Sequence, residues 1–244
     1  QRGVLTFSQL RPEFLKVWVK DLEIKRKPTT VARKIASLRI LMRWAEGKNL
    51  LPPGFIEKSP TIQALQRLEI EILPPETQQA LINQTITTKN LRNQLLFRLA
   101  LETGASAEEI VNLNTDDVRK SEDGKLAIRF NGLRRNKGRT VVVDSDLVAV
   151  LNRYLYQENR LEIGQPLFGP TKRGQGERLT RQGFWLTVNS NGQKIGVEDL
   201  NPRILRYTFV ANFTGNSKEL AKILGTDEQS AVILQNLAKK AIKL

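Results

Sequence analysis

The side chains able to do chemistry in this 244-residue chain are a narrow set, because it has no cysteine and no histidine. Disulfides, thiolate nucleophiles and zinc sites built on either residue are excluded, and so is histidine as a general base. What remains is rich in cations: 39 Lys and Arg face 25 Asp and Glu, a formal net charge of +14. Arginine stays protonated and presents a planar fork of donors, so clustered arginines hold phosphate rather than relay protons. The cations are grouped. Arg33, Lys34, Arg39 and Arg43 fall in one helical segment, and Arg134, Arg135, Lys137 and Arg139 in a loop with two glycines. Lys172, Arg173 and Arg181 follow, and then Arg203 and Arg206. Such a surplus favours a polyanionic partner, of which duplex DNA and RNA are the commonest. For the Arg33 segment alone, a merely solvated face is the alternative. The only phenols are Tyr154, Tyr156 and Tyr207, and packing accounts for each. No Gly-rich phosphate loop and no cluster of metal ligands is visible, so neither a nucleotide nor a metal cofactor is expected.

The elements that must position these groups follow from periodicity and breakers. A first helix is expected from Ser8 as cap, with Leu10, Phe14, Leu15, Trp18 and Val19 as its apolar stripe. Lys27-Pro28-Thr29-Thr30 breaks the chain, and Val31, Ile35, Leu38, Met42 and Ala45 pattern a second helix with a basic outer surface. A short helix is expected over Thr61–Leu68. Leu73-Pro74-Pro75-Glu76 then marks a boundary, giving domains 1–70 and 71–244. Helices follow at about Glu76–Thr85 and Leu91–Thr103. Leu126–Phe130 and Thr140–Val143 alternate as strands around the basic loop, which makes a β-hairpin. Helix resumes at Ser145–Gln157. A loop with strand character spans Pro166–Glu177, a helix lies near Arg181–Asn189, and helix runs from about Arg203 to the end. The expected class is mainly α with a small β-sheet (α+β).

This order resembles the tyrosine recombinases, or phage integrase family. Pro28–Lys34 through Arg43-Trp44-Ala45 is similar to the family's helical, SAM-like core-binding domain. Leu73-Pro74-Pro75-Glu76 resembles the start of its catalytic domain. Thr103-Gly104 with Glu109-Ile110, Leu113 and Asp117 resembles the box around its first catalytic arginine. Leu167-Phe168 and Leu179–Trp185 are close to a family signature. Leu205–Phe209 followed by Leu224-Gly225 resembles the box around the second arginine. The resemblance runs from about residue 8 to 240. It implies a C-shaped clamp on double-stranded DNA, with the thirteen basic residues named above facing phosphates. It also implies an active site in which arginines and a histidine clamp a phosphate, a lysine protonates the leaving oxygen and a tyrosine attacks.

Carried over position by position, that active site is largely missing. Ser106 stands at the first arginine, Arg134 or Arg135 at the lysine, Arg203 at the histidine, and Thr226 at the later histidine. Gln235 stands at the tyrosine, and an amide cannot form the covalent intermediate. Arg206 alone matches. The resulting expectation is that the chain is not an enzyme but a DNA-binding pseudoenzyme, a sequence-specific transcription regulator. The alternatives are a recombinase or integrase with an atypical active site, and an architectural or accessory DNA-binding protein. A homo-oligomer through the last helix, with Leu234, Leu237, Ala238, Ala241 and Ile242 at helical spacing, is set against packing within its own domain. No signal-peptide pattern and no membrane-length apolar run is seen, so a cytoplasmic, nucleoid-associated protein is expected; Gln1 reads as a trimmed or processed end.

Overall fold

Prolines decide where the first helices start. In the computed structural model, which describes residues 6–26, 28–58, 70–121, 123–132, 137–170 and 177–242, helix α1 spans Pro12–Lys25 and α2 spans Pro28–Gly47. Ser8 sits in a separate 3-10 turn, Phe7–Gln9, and does not cap α1. Pro12 takes the first helical turn instead, where its missing N–H costs no hydrogen bond. Contacts divide the chain into two compact units, Gln1–Leu68 and Glu69–Leu244. In the first unit, Leu15, Met42 and Ala45 close on Leu51, Phe55 and Ile56, the last two from the short helix α3 (Phe55–Lys58). Val19, Leu22, Val31 and Ile35 form a second cluster between α1 and α2. The expected helix over Thr61–Leu68 lies outside the described residues.

The second unit is built around one helix. After α4 (Pro75–Thr87), α5 (Leu91–Thr103) buries Leu95, Leu96, Phe97, Leu99 and Ala100 completely. It packs on α4, α7 (Ser145–Gln157) and α9 (Pro202–Asn212), so its apolar residues spread over more than one face. Gly104 ends α5 in the left-handed conformation, with φ of 61°. A Cβ there would meet the Phe209 ring and come within 2.7 Å of Leu224 Cδ2. The chain then turns into α6 (Ala107–Val111).

The sheet has three antiparallel strands in the order β1 (Val118–Lys120), β2 (Leu126–Phe130), β3 (Arg139–Val142). The register pairs Ile128 with Val118 and with Val141. Strand β1 is absent from the sequence expectation because three residues, two of them basic, carry no periodicity. Helix α8 runs from Arg181 to Lys194, beyond the expected Asn189. Between α7 and α8 the described backbone holds one isolated bridge, Asn114 to Pro166, rather than a strand. The final helical stretch is three helices: α9, α10 (Ser217–Leu224) and α11 (Glu228–Ala241). Asn216 and Asp227 restart the last two by accepting from the backbone N–H of Glu219 and Ser230. Among the described residues, no helix is long and apolar enough to cross a membrane.

Two predictions follow from α5. Gly104→Ala forces both a strained φ and a clash with Phe209, and should lower unfolding free energy by roughly 2–4 kcal/mol in a denaturant titration. Near the end of α5, burial and the neighbouring Asp144 carboxylate push Glu102 up to about 7, against the opposing Arg98 at 3.0 Å. The native state thus keeps a proton that the unfolded chain releases near its ordinary value of 4.5. The contribution of Glu102 to stability should be fully present below that value and fall as pH rises from there towards 7. Glu102→Gln should abolish this slope and gain about 2 kcal/mol at pH 8 relative to the native protein. Thermal melts across pH 4–8 check both points.

Candidate functional site

The residues of the first arginine box form a helix cap, and the cap organises the site. Ser106 Oγ accepts from Glu109 N at 3.4 Å and donates to Glu109 Oε2 at 2.7 Å, and Ser106 N donates to the same oxygen at 2.7 Å. This is a capping box, and it turns the Glu109 carboxylate inward until its side chain is 1% exposed. Arg139 Nη1, from β3, donates to Oε1. Arg206 Nη1, from α9, reaches Oε2 at 3.4 Å. Burial alone would raise the Glu109 carboxyl, but the hydrogen bonds and charge of Arg139 outweigh it and hold Glu109 below its ordinary range. Burial lowers the Arg206 guanidinium, and Glu109 opposes that shift. One buried anion therefore ties α6, β3 and α9 together with a net surplus of one positive charge.

Around this anchor the expected site residues separate. Arg139 does not face outward from the hairpin: its side chain is 5% exposed and lies over the Phe130 ring at 4.6 Å, so its expected place on a DNA-facing surface is corrected to the buried anchor. The reason is Glu109, a carboxylate with room for two cations. Lys137 is exposed, and its N–H donates to Gly225 O at 2.7 Å. That close approach needs Gly225, since a Cβ there would fall 2.5 Å from Lys137 O. The base of the hairpin is thereby joined to the turn between α10 and α11. Arg203 is exposed one turn before Arg206 on the same side of α9; its Nε donates to Tyr207 Oη. Arg203, Arg181 and Trp185 line one open groove of about 440 Å³, with Ala107 also in its lining. Arg181 is 3.9 Å from Glu108 and its side chain is 62% exposed.

In the first unit, Arg33, Lys34 and Arg43 are exposed on α2, whereas Arg39 is half-buried with Nη1 3.5 Å from Ile56 O. Arg134, Arg135, Lys172 and Arg173 lie outside the described residues. Thr226 is half-buried, and Gln235 on α11 donates to Gly215 O at 3.1 Å. Tyr154 is buried, donates to Leu167 O and is pushed up to about 12, mainly by burial. Tyr156 is 79% exposed on α7. Sequence reasoning missed Glu109 as the organising group and Trp185 as a groove residue. The Ser106-x-x-Glu109 spacing carried the first signal, since it is the capping-box pattern.

Curated relatives match most of the chain. It is 24% identical over 219 residues to a tyrosine recombinase XerC of Roseiflexus castenholzii, covering 83% of this chain and 65% of that protein. It is 26% identical over 230 residues to a tyrosine recombinase XerC of Herpetosiphon aurantiacus, covering 91% and 73%. The chain thus spans about two thirds of the length of these relatives. A crystal structure of the XerH site-specific recombinase bound to a palindromic difH substrate matches with a TM-score of 0.78 at 16% identity, over 96% of this chain and 71% of that one. These findings correct the expectation that the chain is not an enzyme, because its relatives are named as members of an enzyme class. That expectation weighed Ser106, Arg203, Thr226 and Gln235 one at a time, whereas likeness extends over nearly the whole scaffold.

Removing the anchor should be costly. Glu109→Ala leaves Arg139 and Arg206 buried without a counter-charge and should cost about 3–5 kcal/mol by chemical denaturation, with Glu109→Gln costing less. A loss below about 1 kcal/mol for Glu109→Ala would show that the carboxylate does not hold the site together. The anchor, the groove and the sheet all fall within residues 71–233, which match the phage integrase family, and the chain belongs to that family.

Proposed function

We propose that the chain binds duplex DNA at specific sites and acts there in recombination, as a tyrosine-recombinase-type enzyme. The observation that carries this reading is the open groove carrying Arg181 and Arg203, with Arg206, three residues on from Arg203 in α9, tied to Glu109. Fixed cations around one hollow suit a phosphodiester whose oxygens gain charge during cleavage. Arg33, Lys34 and Arg43 on α2, with Lys137 at the hairpin base, supply further phosphate contacts in this reading. Such contacts set affinity and register more than sequence choice. The names of the relatives favour recombination over transcription regulation. Position 235 is glutamine, so the attacking hydroxyl has to come from another residue of this chain or from a second subunit.

Two measurements test the proposal together. Arg181→Ala with Arg203→Ala should weaken binding to a selected duplex by at least about tenfold and reduce the salt slope of the binding constant by about 2. On a nicked duplex that lets the cleaved strand escape, a covalent protein–DNA adduct should accumulate, and peptide mapping of the adduct identifies the nucleophile. Site-selective binding with no adduct on any nicked substrate would refute the enzymatic part. Binding that ignores sequence would refute the site-specific part.

A further inference from the structure

A second basic hollow, of about 590 Å³, opens at the far end of α5 from the Glu109 anchor. Arg92 lines it from the first turn of α5, Arg160 from just beyond α7, and Lys194 from the end of α8. Among the described residues, none of these cations pairs with a carboxylate within 4.0 Å, although Glu158 shares the lining. Neutral acceptors hold the two guanidiniums instead. Arg92 Nη1 donates to Pro170 O at 2.9 Å and Nη2 to Thr187 Oγ1 at 3.4 Å. Arg160 Nη1 donates to Pro166 O at 3.4 Å, while its buried Nε has no hydrogen-bond partner. Gly169 makes room for this arrangement, since a Cβ there would collide with Arg160 Nη2. Asn90 and Asn93 add amide donors at the rim.

A hollow of this size matches small-ligand sites. Positioned guanidinium forks without carboxylate partners suit an anion with several oxygens. We propose that it binds a phosphate-bearing small molecule, at a site separate from the groove of Arg181 and Arg203. The separation follows from helix geometry. On α8, Arg181 and Trp185 face the groove, while Ser190 and Lys194 line the hollow, roughly half a turn round the axis. Along α5, the hollow lies at the first residues and Gly104 at the last, about 20 Å apart for a helix of this length. A duplex seated in the groove therefore does not fill the hollow. The proposal stands whether or not the recombinase reading does.

The test is isothermal titration of the full chain with pyrophosphate at constant ionic strength, comparing three proteins. The native chain should show saturable one-to-one binding. Lys194→Glu, a change at an exposed helix end that leaves the fold intact by circular dichroism, should bind at least about tenfold more weakly. Arg181→Ala with Arg203→Ala should bind like the native chain. Absence of saturable binding, or an unchanged affinity in Lys194→Glu, overturns the proposal. Weakening confined to the Arg181 and Arg203 variant places the phosphate in the groove and also overturns it. Equal loss of short-duplex binding in Lys194→Glu would mean that nucleic-acid backbone, not a free ligand, occupies the hollow, with the same consequence.

Discussion

A carboxylate buried to 1% exposure must be paired, or it gives up its charge. Glu109 is paired on both oxygens: Arg139 takes one, and Ser106 and Arg206 share the other. Each partner comes from a different element, so a single anion fixes the relative position of a helix cap, a strand and a second helix. The arrangement also explains how a serine can occupy the first-arginine position without leaving the box empty. Ser106 is neutral and short, but its hydroxyl and backbone N–H orient the acid that gathers the arginines. The guanidiniums are costly to bury, and that cost is offset only while Glu109 stays ionised.

Two close approaches let these elements meet. Gly104 admits Phe209 and Leu224 against the end of α5, and Gly225 admits the hairpin base through the Lys137 hydrogen bond. Both positions have positive φ, so glycine serves backbone conformation and packing at once. The largely buried α5 runs between two basic regions of the second unit, with the Glu109 anchor beyond its last residue and the Arg92 hollow at its first turn. The two regions differ in kind. At the anchor the cations pair directly with a protein carboxylate, whereas at the hollow carbonyls and a hydroxyl brace the two guanidiniums and Glu158 lies in the lining without a direct ion pair to them.

The question of catalysis shows where residue-by-residue transfer is weak. Gln235 and Thr226 lack the groups that the resemblance implies, and that remains true of those positions. Yet the chain resembles named recombinases over most of its length, and Arg139 and Arg206 stay organised around Glu109. Loss of a group at one position describes that position, while reaction chemistry belongs to the assembled site.

Much of this protein was determined by sequence alone. Charge surplus and the lack of histidine and cysteine fix what its chemistry can be. Prolines 28 and 75 mark helix starts, and apolar spacing sets α2, because local sterics and periodicity act over a few residues; the start of α1 at Pro12 rather than Ser8 was not read from the sequence. Family membership was legible in the ordered boxes. Only the tertiary structure decided that Arg139 is an internal ion-pair partner rather than a surface cation, that Arg203 and Arg181 share a groove, and that Arg92, Arg160 and Lys194 converge. The physical reason is the same in each case. A charged side chain takes its role from the partner that burial brings to it, and those partners lie between 30 and 97 residues away along the chain at the Glu109 anchor.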